Sequence, residues 1–501
     1  MARRIAGLGM VAALALAIAP VSAETPEREK IAATVEAQHD ATIKALQDWI
    51  ALPTIAAEKR NTPEGAEYMM QLAREAGFQQ AKIIPTDGVP AVFATLDAGA
   101  PTTLGIYFMY DVKQFDPAEW DSPPLEGRLV ERPGEGLAIY GRGAVNQKGP
   151  EMAFLAAIKA IQASGRKLPV NLVLVAEGEE EVASTHFDQV VAVPEVQAAL
   201  AKTIGVFIPS AAQSKDGGAN ITLGAKGAVE FQLVVGGETS DKYPKTDIHS
   251  SNHARIENPA WRLVKALDTL VADDGHTPVI DGWFENVRPL TDRQKQLIAE
   301  SAKLNPEDQE KAALGVGRWI DDEDYITSLE RFYSQPTVNI QGLIAGYTGP
   351  GGKTVLPGRA EAKLEFRLVP AMTKAEAVSK LKAHLAKRGF DDVQVTVSGG
   401  YGPNETEEDS VLIRAQKRLF DESGIPYSIR PRNAGSWPGV IFNGPPLNLP
   451  ASQFGLSRGG GAHAPNEWFL IESADPKVNG LDEATMAYVD YLYVVAEEAG
   501  K

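Results

Sequence analysis

"VNLVLVAEGEEEVAS", residues 170–184, opens on an apolar run interrupted only by Asn171 and closes on a cluster of acids. A strand buried on both faces reads this way, because helices that cover a parallel sheet leave neither face to water. "LGIYFM" at 104–109 is a second such run, followed at once by Tyr110 and Asp111. Between the two, Pro150 opens a helical pattern with Phe154, Leu155, Ile158 and Ile161 on one face, and "SGRKLP" at 164–169 ends it. Strand, helix and strand in that order predict parallel strands with crossover helices, an α/β fold. In open sheets of this kind ligands bind just beyond the carboxyl ends of the strands. Asp111 and Glu180 both stand there, in places suited to chemistry rather than packing.

The middle of the chain has another period. "RAEAKLEFRLV" at 359–369 alternates strictly, with Ala360, Ala362, Leu364, Phe366 and Leu368 on one face and Glu361, Lys363, Glu365 and Arg367 on the other. That pattern predicts a half-buried antiparallel strand. A helix capped by Thr373, with Glu376 three residues on and Val378, Leu381 and Leu385 inside, leads to a further strand in "DVQVTV" at 392–397. We place a small α+β sandwich at 224–400, inserted between two parts of a larger domain, 24–223 and 401–501. The helical stretch 290–315 is read as an insert within that sandwich.

A chain of 501 residues with 44% hydrophobic content is globular and too long for one ordinary core. Arg3 and Arg4, the apolar run from Ile5 to Ala19 and "VSA" ending at Ala23 read as an export signal at 1–23, which predicts a periplasmic or secreted protein. Its removal takes two arginines and moves the formal charge from -17 to -19. So acidic a surface repels phosphate backbones, which argues against nucleic acid as a partner. No later stretch is apolar enough to span a bilayer, so no membrane is expected as a partner. With no cysteine, disulfides and thiol catalysis are excluded.

Five segments carry a family likeness: 107–129 around Asp111, "YGRGAVNQKGP" at 140–150, "VAEGEEEVAS" at 175–184, 208–227 around Ser210, and "GAHAPNEW" at 461–468. Together they resemble the dizinc metallopeptidases that include carnosinase, cytosolic dipeptidase, aminoacylase and succinyl-diaminopimelate desuccinylase. The resemblance implies a mostly parallel-sheet catalytic domain with an inserted α+β lid and dimerisation domain. It makes Glu180 the general base and Glu181 and His463 ligands of one metal ion. Where the family has a metal-binding His, a bridging Asp and a further acid, this chain has Met109, Asn146 and Ser210.

Asn146 can offer a neutral oxygen but cannot bridge two cations as a carboxylate does. Asp111 holds the position of the acid behind the lost His. "KTDIHSS" at 245–251 matches the family's lid His, which makes His249 a stabiliser of the oxyanion in a neighbouring subunit's site. Asn339 and Arg367 are carried over as groups that hold the substrate. His186 and His253 fit no standard ligand spacing.

The expectation is thus an exported, homodimeric hydrolase of amide or peptide bonds in dipeptides or acyl amino acids, with one divalent metal, zinc by resemblance, or none. Two alternatives stand beside it: a noncatalytic binding protein on the same scaffold, and a metal-independent hydrolase that uses Asp111 and Glu180.

Overall fold

The structure, a computed structural model, describes residues 26–501. The central sheet has six strands in the order Gln80–Ile84, Ala91–Leu96, Asn171–Glu177, Thr103–Met109, Val206–Pro209 and Ala451–Phe454. The last four run parallel, as the doubly apolar strands and intervening helix predict, and Ala91–Leu96 pairs antiparallel with both Gln80–Ile84 and Asn171–Glu177. Helix Gly149–Ala163 is buried on nearly every side and not on a single face. It lies between the sheet and helices Pro26–Ile50 and Leu481–Ala499, where Phe154 meets Phe207 and Tyr488 edge to face at 5.3 and 5.5 Å. Small alanines fill its other faces, which lets the neighbouring helices approach.

Register decides what gathers at the sheet's rim. Met109 is opposite Glu177, and Ile106 is opposite Phe207, so the same register continued sets Met109 beside Ser210.

A second, four-stranded sheet is wholly antiparallel, in the order Thr337–Ala345, Arg359–Leu368, Gly227–Gly236, Gln394–Tyr401. Ala360, Ala362, Leu364, Phe366 and Leu368 are fully buried against helices Pro259–Asp268 and Lys374–Lys387. Each of the three large side chains on that face contributes roughly 1.5–3 kcal/mol by leaving water. Thr373 and Glu376 form the expected capping box.

The helical insert differs from expectation. Helix Asp292–Leu304 packs on strand Tyr427–Arg430, with Leu297 in the core of the six-stranded sheet and Ser301 bonded to Ser428, while Ile298, Leu329 and Tyr333 form a small core of their own. Its apolar face finds a partner across the chain that local periodicity does not reveal.

A third sheet, Gly459–Gly460, Trp468–Ser473, Gly136–Tyr140 and Arg128–Arg132, brackets the segments that carry Asn146 and His463.

Candidate active site

Asp111 leaves the carboxyl end of strand Thr103–Met109 and turns into the protein, where it is 1% exposed. Its carboxyl accepts the main-chain N–H of Glu180 at 3.2 Å and of Glu181 at 3.0 Å, fixing the turn that presents both acids. Burial, and after it the negative charge of Glu181, pushes the Asp111 carboxyl up to about 8, against the pull of those two N–H groups.

Three side chains converge on Glu181. Asn146 Nδ2 donates to Glu181 Oε1 at 2.7 Å and lies 3.0 Å from His463 Nε2. His463 Nε2 is 3.1 Å from Glu181 Oε2, and the Lys113 ammonium is 3.4 Å from the same oxygen while donating to the Glu181 main-chain carbonyl. The carboxylate therefore draws donors from Asn146, Lys113 and, when Nε2 carries a proton, His463. The amide turns its nitrogen toward the acid because its oxygen there would face another oxygen. His463 holds a left-handed backbone, φ 63°, which aims the imidazole at Glu181.

One clamp joins the two loops that supply this cluster. The Glu467 carboxylate, 1% exposed, takes a charged bond from Arg142 at 2.7 Å and the N–H groups of Gly143, Val145 and Asn146 at 3.0, 3.0 and 2.9 Å. Four donors saturate the anion, which is the condition for burying it. Glu467 lies inside the quoted "GAHAPNEW", but only the fold shows what it grips.

Glu180 is half-buried, and burial together with Glu181, Asp111 and Glu177 holds its carboxyl well above the usual range. The Tyr401 hydroxyl reaches Glu180 Oε1 at 3.4 Å, and Ser436, beside Tyr401, accepts a 2.7 Å bond from Arg367. Arg367 also pairs with Glu365. A line of contacts thus runs from Arg367 through Ser436 and Tyr401 to Glu180. The sequence reading named its two ends and missed Tyr401, Ser436 and Lys113. Tyr401 ends a strand beside Glu180's turn, a long-range contact without a local signal.

Other expected residues lie apart within the chain. His249, exposed at the end of a short strand, bonds Ser251 at 2.8 Å. Asn339 sits on the edge strand opposite Glu365. The Met109 N–H is held by buried Glu151 at 2.8 Å, and the Ser210 hydroxyl is buried without a bond. His186 pairs with Glu179 at 2.8 Å and His253 faces the Ile256 carbonyl at 3.2 Å, so neither joins Glu181. Among the described residues, no three or more His, Cys, Asp or Glu side chains gather as a metal site requires.

The description "Peptidase family M20/M25/M40" matches residues 110–487, a span that includes Asp111, Asn146, Glu180, Glu181, Arg367 and His463. The chain belongs to peptidase family M20/M25/M40. It is similar to the Cys-Gly metallodipeptidase DUG1 of Candida albicans, 27% identical over 87% of this chain and 92% of that protein. A Beta-Ala-His dipeptidase of Rattus norvegicus is also 27% identical, over 75% of this chain and 78% of its own. Among solved structures, the M20 family metallo-carboxypeptidase Sso-CP2 of Sulfolobus solfataricus superposes with a TM-score of 0.79 at 31% identity, covering 91% of this chain and 99% of that one. Human carnosine dipeptidase 1, at 23% identity, shares the fold with a TM-score of 0.75.

This M20 chain is a hydrolase of the peptidase kind, and the dipeptidases of its family are metal-dependent, usually with zinc. Membership favours the enzyme over the noncatalytic binding protein. The periplasmic or secreted placement is corrected. The similar DUG1 metallodipeptidases are cytosolic enzymes, and the export signal read at 1–23 lies outside the described residues.

Proposed function

We propose that this chain hydrolyses the peptide or amide bond of small substrates with a free carboxylate, dipeptides or acyl amino acids. The observation that carries the reading is the line Arg367–Ser436–Tyr401–Glu180, with a guanidinium suited to a carboxylate at one end and an acid suited to general-base work at the other. Arg367 would hold the substrate's carboxylate through charge-assisted bonds, with Asn339 as a further substrate contact. Glu180 takes the proton of the attacking water and returns it to the leaving nitrogen, and a carboxyl held above its usual range by burial binds that proton more firmly than an exposed one. Asp111 serves by fixing the turn that holds Glu180 in place.

The donor set does not suit two ions. Met109 and Ser210 supply no strong ligand, and Asn146 is neutral where a bridge needs an anion. Glu181, His463 and, with its amide turned over, Asn146 Oδ1 would hold at most one divalent ion, zinc by family habit. Such an ion supplies Lewis-acid polarisation of the scissile carbonyl.

A homodimer completes the reading. Edge strand Thr337–Ala345 leaves Ile340, Leu343 and Ile344 48%, 51% and 58% exposed, and Trp261 on helix Pro259–Asp268 is 60% exposed. A bare apolar edge of this kind is suited to pairing with a second copy. His249 would then reach the partner's site to stabilise the oxyanion. A division after 223 and after 400 is supported by the antiparallel pair Gly224–Ala225 and Asn404–Glu405, where the chain leaves the larger domain and returns side by side.

The test is hydrolysis of a dipeptide and acyl amino acid panel by the purified, zinc-supplied protein, beside Glu180→Gln. We expect turnover in the wild type and a loss of about 10²–10⁴-fold in the variant. No turnover on any substrate, or equal turnover in the variant, overturns the reading.

A further inference from the structure

Lys113 lies two residues beyond Asp111, and its stem runs along the turn that carries Glu180 and Glu181. Its ammonium stands 3.4 Å from Glu181 Oε2, the oxygen that His463 also faces at 3.1 Å. Glu181 is nearly enclosed, with its side chain 4% exposed, whereas Lys113 is 32% exposed and can swing to water. The other Glu181 oxygen is taken by the Asn146 amide nitrogen at 2.7 Å. Asp111 is occupied by two main-chain N–H groups. Both Glu181 oxygens are thus faced by groups of the protein itself, and one of those groups carries a full positive charge.

We infer that Lys113 is an internal cation that takes the charge-compensating place of a divalent ion at Glu181, so that the Glu181–His463 pair is closed by a side chain and accepts metal only when Lys113 swings away. The inference rests on the proposed reading of that pair as an ion site, and it goes beyond it by naming the residue that sets the affinity. A cation beside a buried carboxylate opposes entry of a second, and the opposition is strong where water screens little. Asn146 adds to the effect, since its amide has to turn over before its oxygen can coordinate.

The experiment is zinc titration of the full chain by calorimetry, with thermal melting in the presence and absence of zinc, for wild type, Lys113→Gln, Lys113→Arg and His463→Ala. None of these readouts needs turnover, so the result is independent of whether a substrate is found. We expect weak zinc binding by the wild type, binding at least about tenfold tighter with Lys113→Gln, wild-type behaviour with Lys113→Arg, and no binding with His463→Ala. Zinc should also raise the melting temperature of Lys113→Gln more than that of the wild type. Should the glutamine variant fail to fold, Lys113→Met keeps the apolar stem and carries the same expectation. Equal or weaker zinc affinity on removal of the charge overturns the inference. So does equal tightening by Lys113→Arg, which keeps the charge.

Discussion

Glu467 and Arg142 form a buried ion pair 2.7 Å long that ties the segment carrying His463 to the turn carrying Asn146. The same carboxylate gathers three N–H groups of that turn, so the spacing of the Glu181 cluster depends on an acid that touches none of its members' side chains. Removing Glu467 leaves Arg142 and three amides unpaired in the interior. Glu467→Ala should cost about 3–5 kcal/mol in urea unfolding, whereas Arg142→Ala together with Glu467→Ala should cost less than the sum of the two. Additive losses would show that the pair is not coupled.

Lys226 gives a pH signature remote from the acids. It is 4% exposed, donates to the Gln335 carbonyl at 2.8 Å, and has no carboxylate against it among the described residues. Burial, and after it Arg432 and Arg367, lowers its ammonium from 10.5 to about 7. The folded lysine releases its proton near pH 7 and the unfolded one near 10.5, so the unfolded state binds more protons in between and stability rises with pH. Lys226→Met should remove that gain. Urea midpoints at about pH 6 and about pH 10 should show the wild type gaining on the variant, and parallel midpoints would place the ammonium in water.

Arg367 should act on binding more than on chemistry. Arg367→Met loses charge-assisted bonds of about 1.5–3 kcal/mol, which is about a tenfold to hundredfold rise in KM with kcat less changed. Dipeptides amidated at the carboxyl end should be poor substrates for the wild type and no worse for the variant. A uniform fall in kcat on both would assign Arg367 another task.

Dimer function is open to complementation. His249→Ala and Glu180→Gln each damage every site of their own dimers. A mixed dimer restores one, since the chain with intact Glu180 receives His249 from its partner. Random mixing should recover about a quarter of wild-type turnover, with light scattering confirming two chains per particle. No recovery from a mixed dimer would remove His249 from catalysis.

Much of the fold was readable because burial imposes period. The apolar runs at 104–109 and 170–176 cannot be solvated on either face, and the alternation at 359–369 can be solvated on only one, so strand type and sheet type follow from the side chains. The helical insert was misplaced for the complementary reason: Leu297 shows that it has an apolar face but not which core receives it. Within the site, Glu180, Glu181 and His463 were legible as parts of long motifs that bind chemistry to a strand end.

What the sequence determined by itself is an α/β chain with motifs resembling those of dizinc metallopeptidases, and Met109, Asn146 and Ser210 at three places where that resemblance leads one to expect ligands. Those are statements about residue type and local order, which the chain carries without folding. Only the tertiary structure decided that Lys113 closes on Glu181, that Tyr401 and Ser436 join Arg367 to Glu180, and that Glu467 clamps the Asn146 turn. Each is a meeting of polar groups far apart along the chain, in an interior where an unpaired one costs more than a single apolar contact returns. Hydrophobic period sets which face is buried, whereas the pairing of buried charges is settled by three-dimensional proximity.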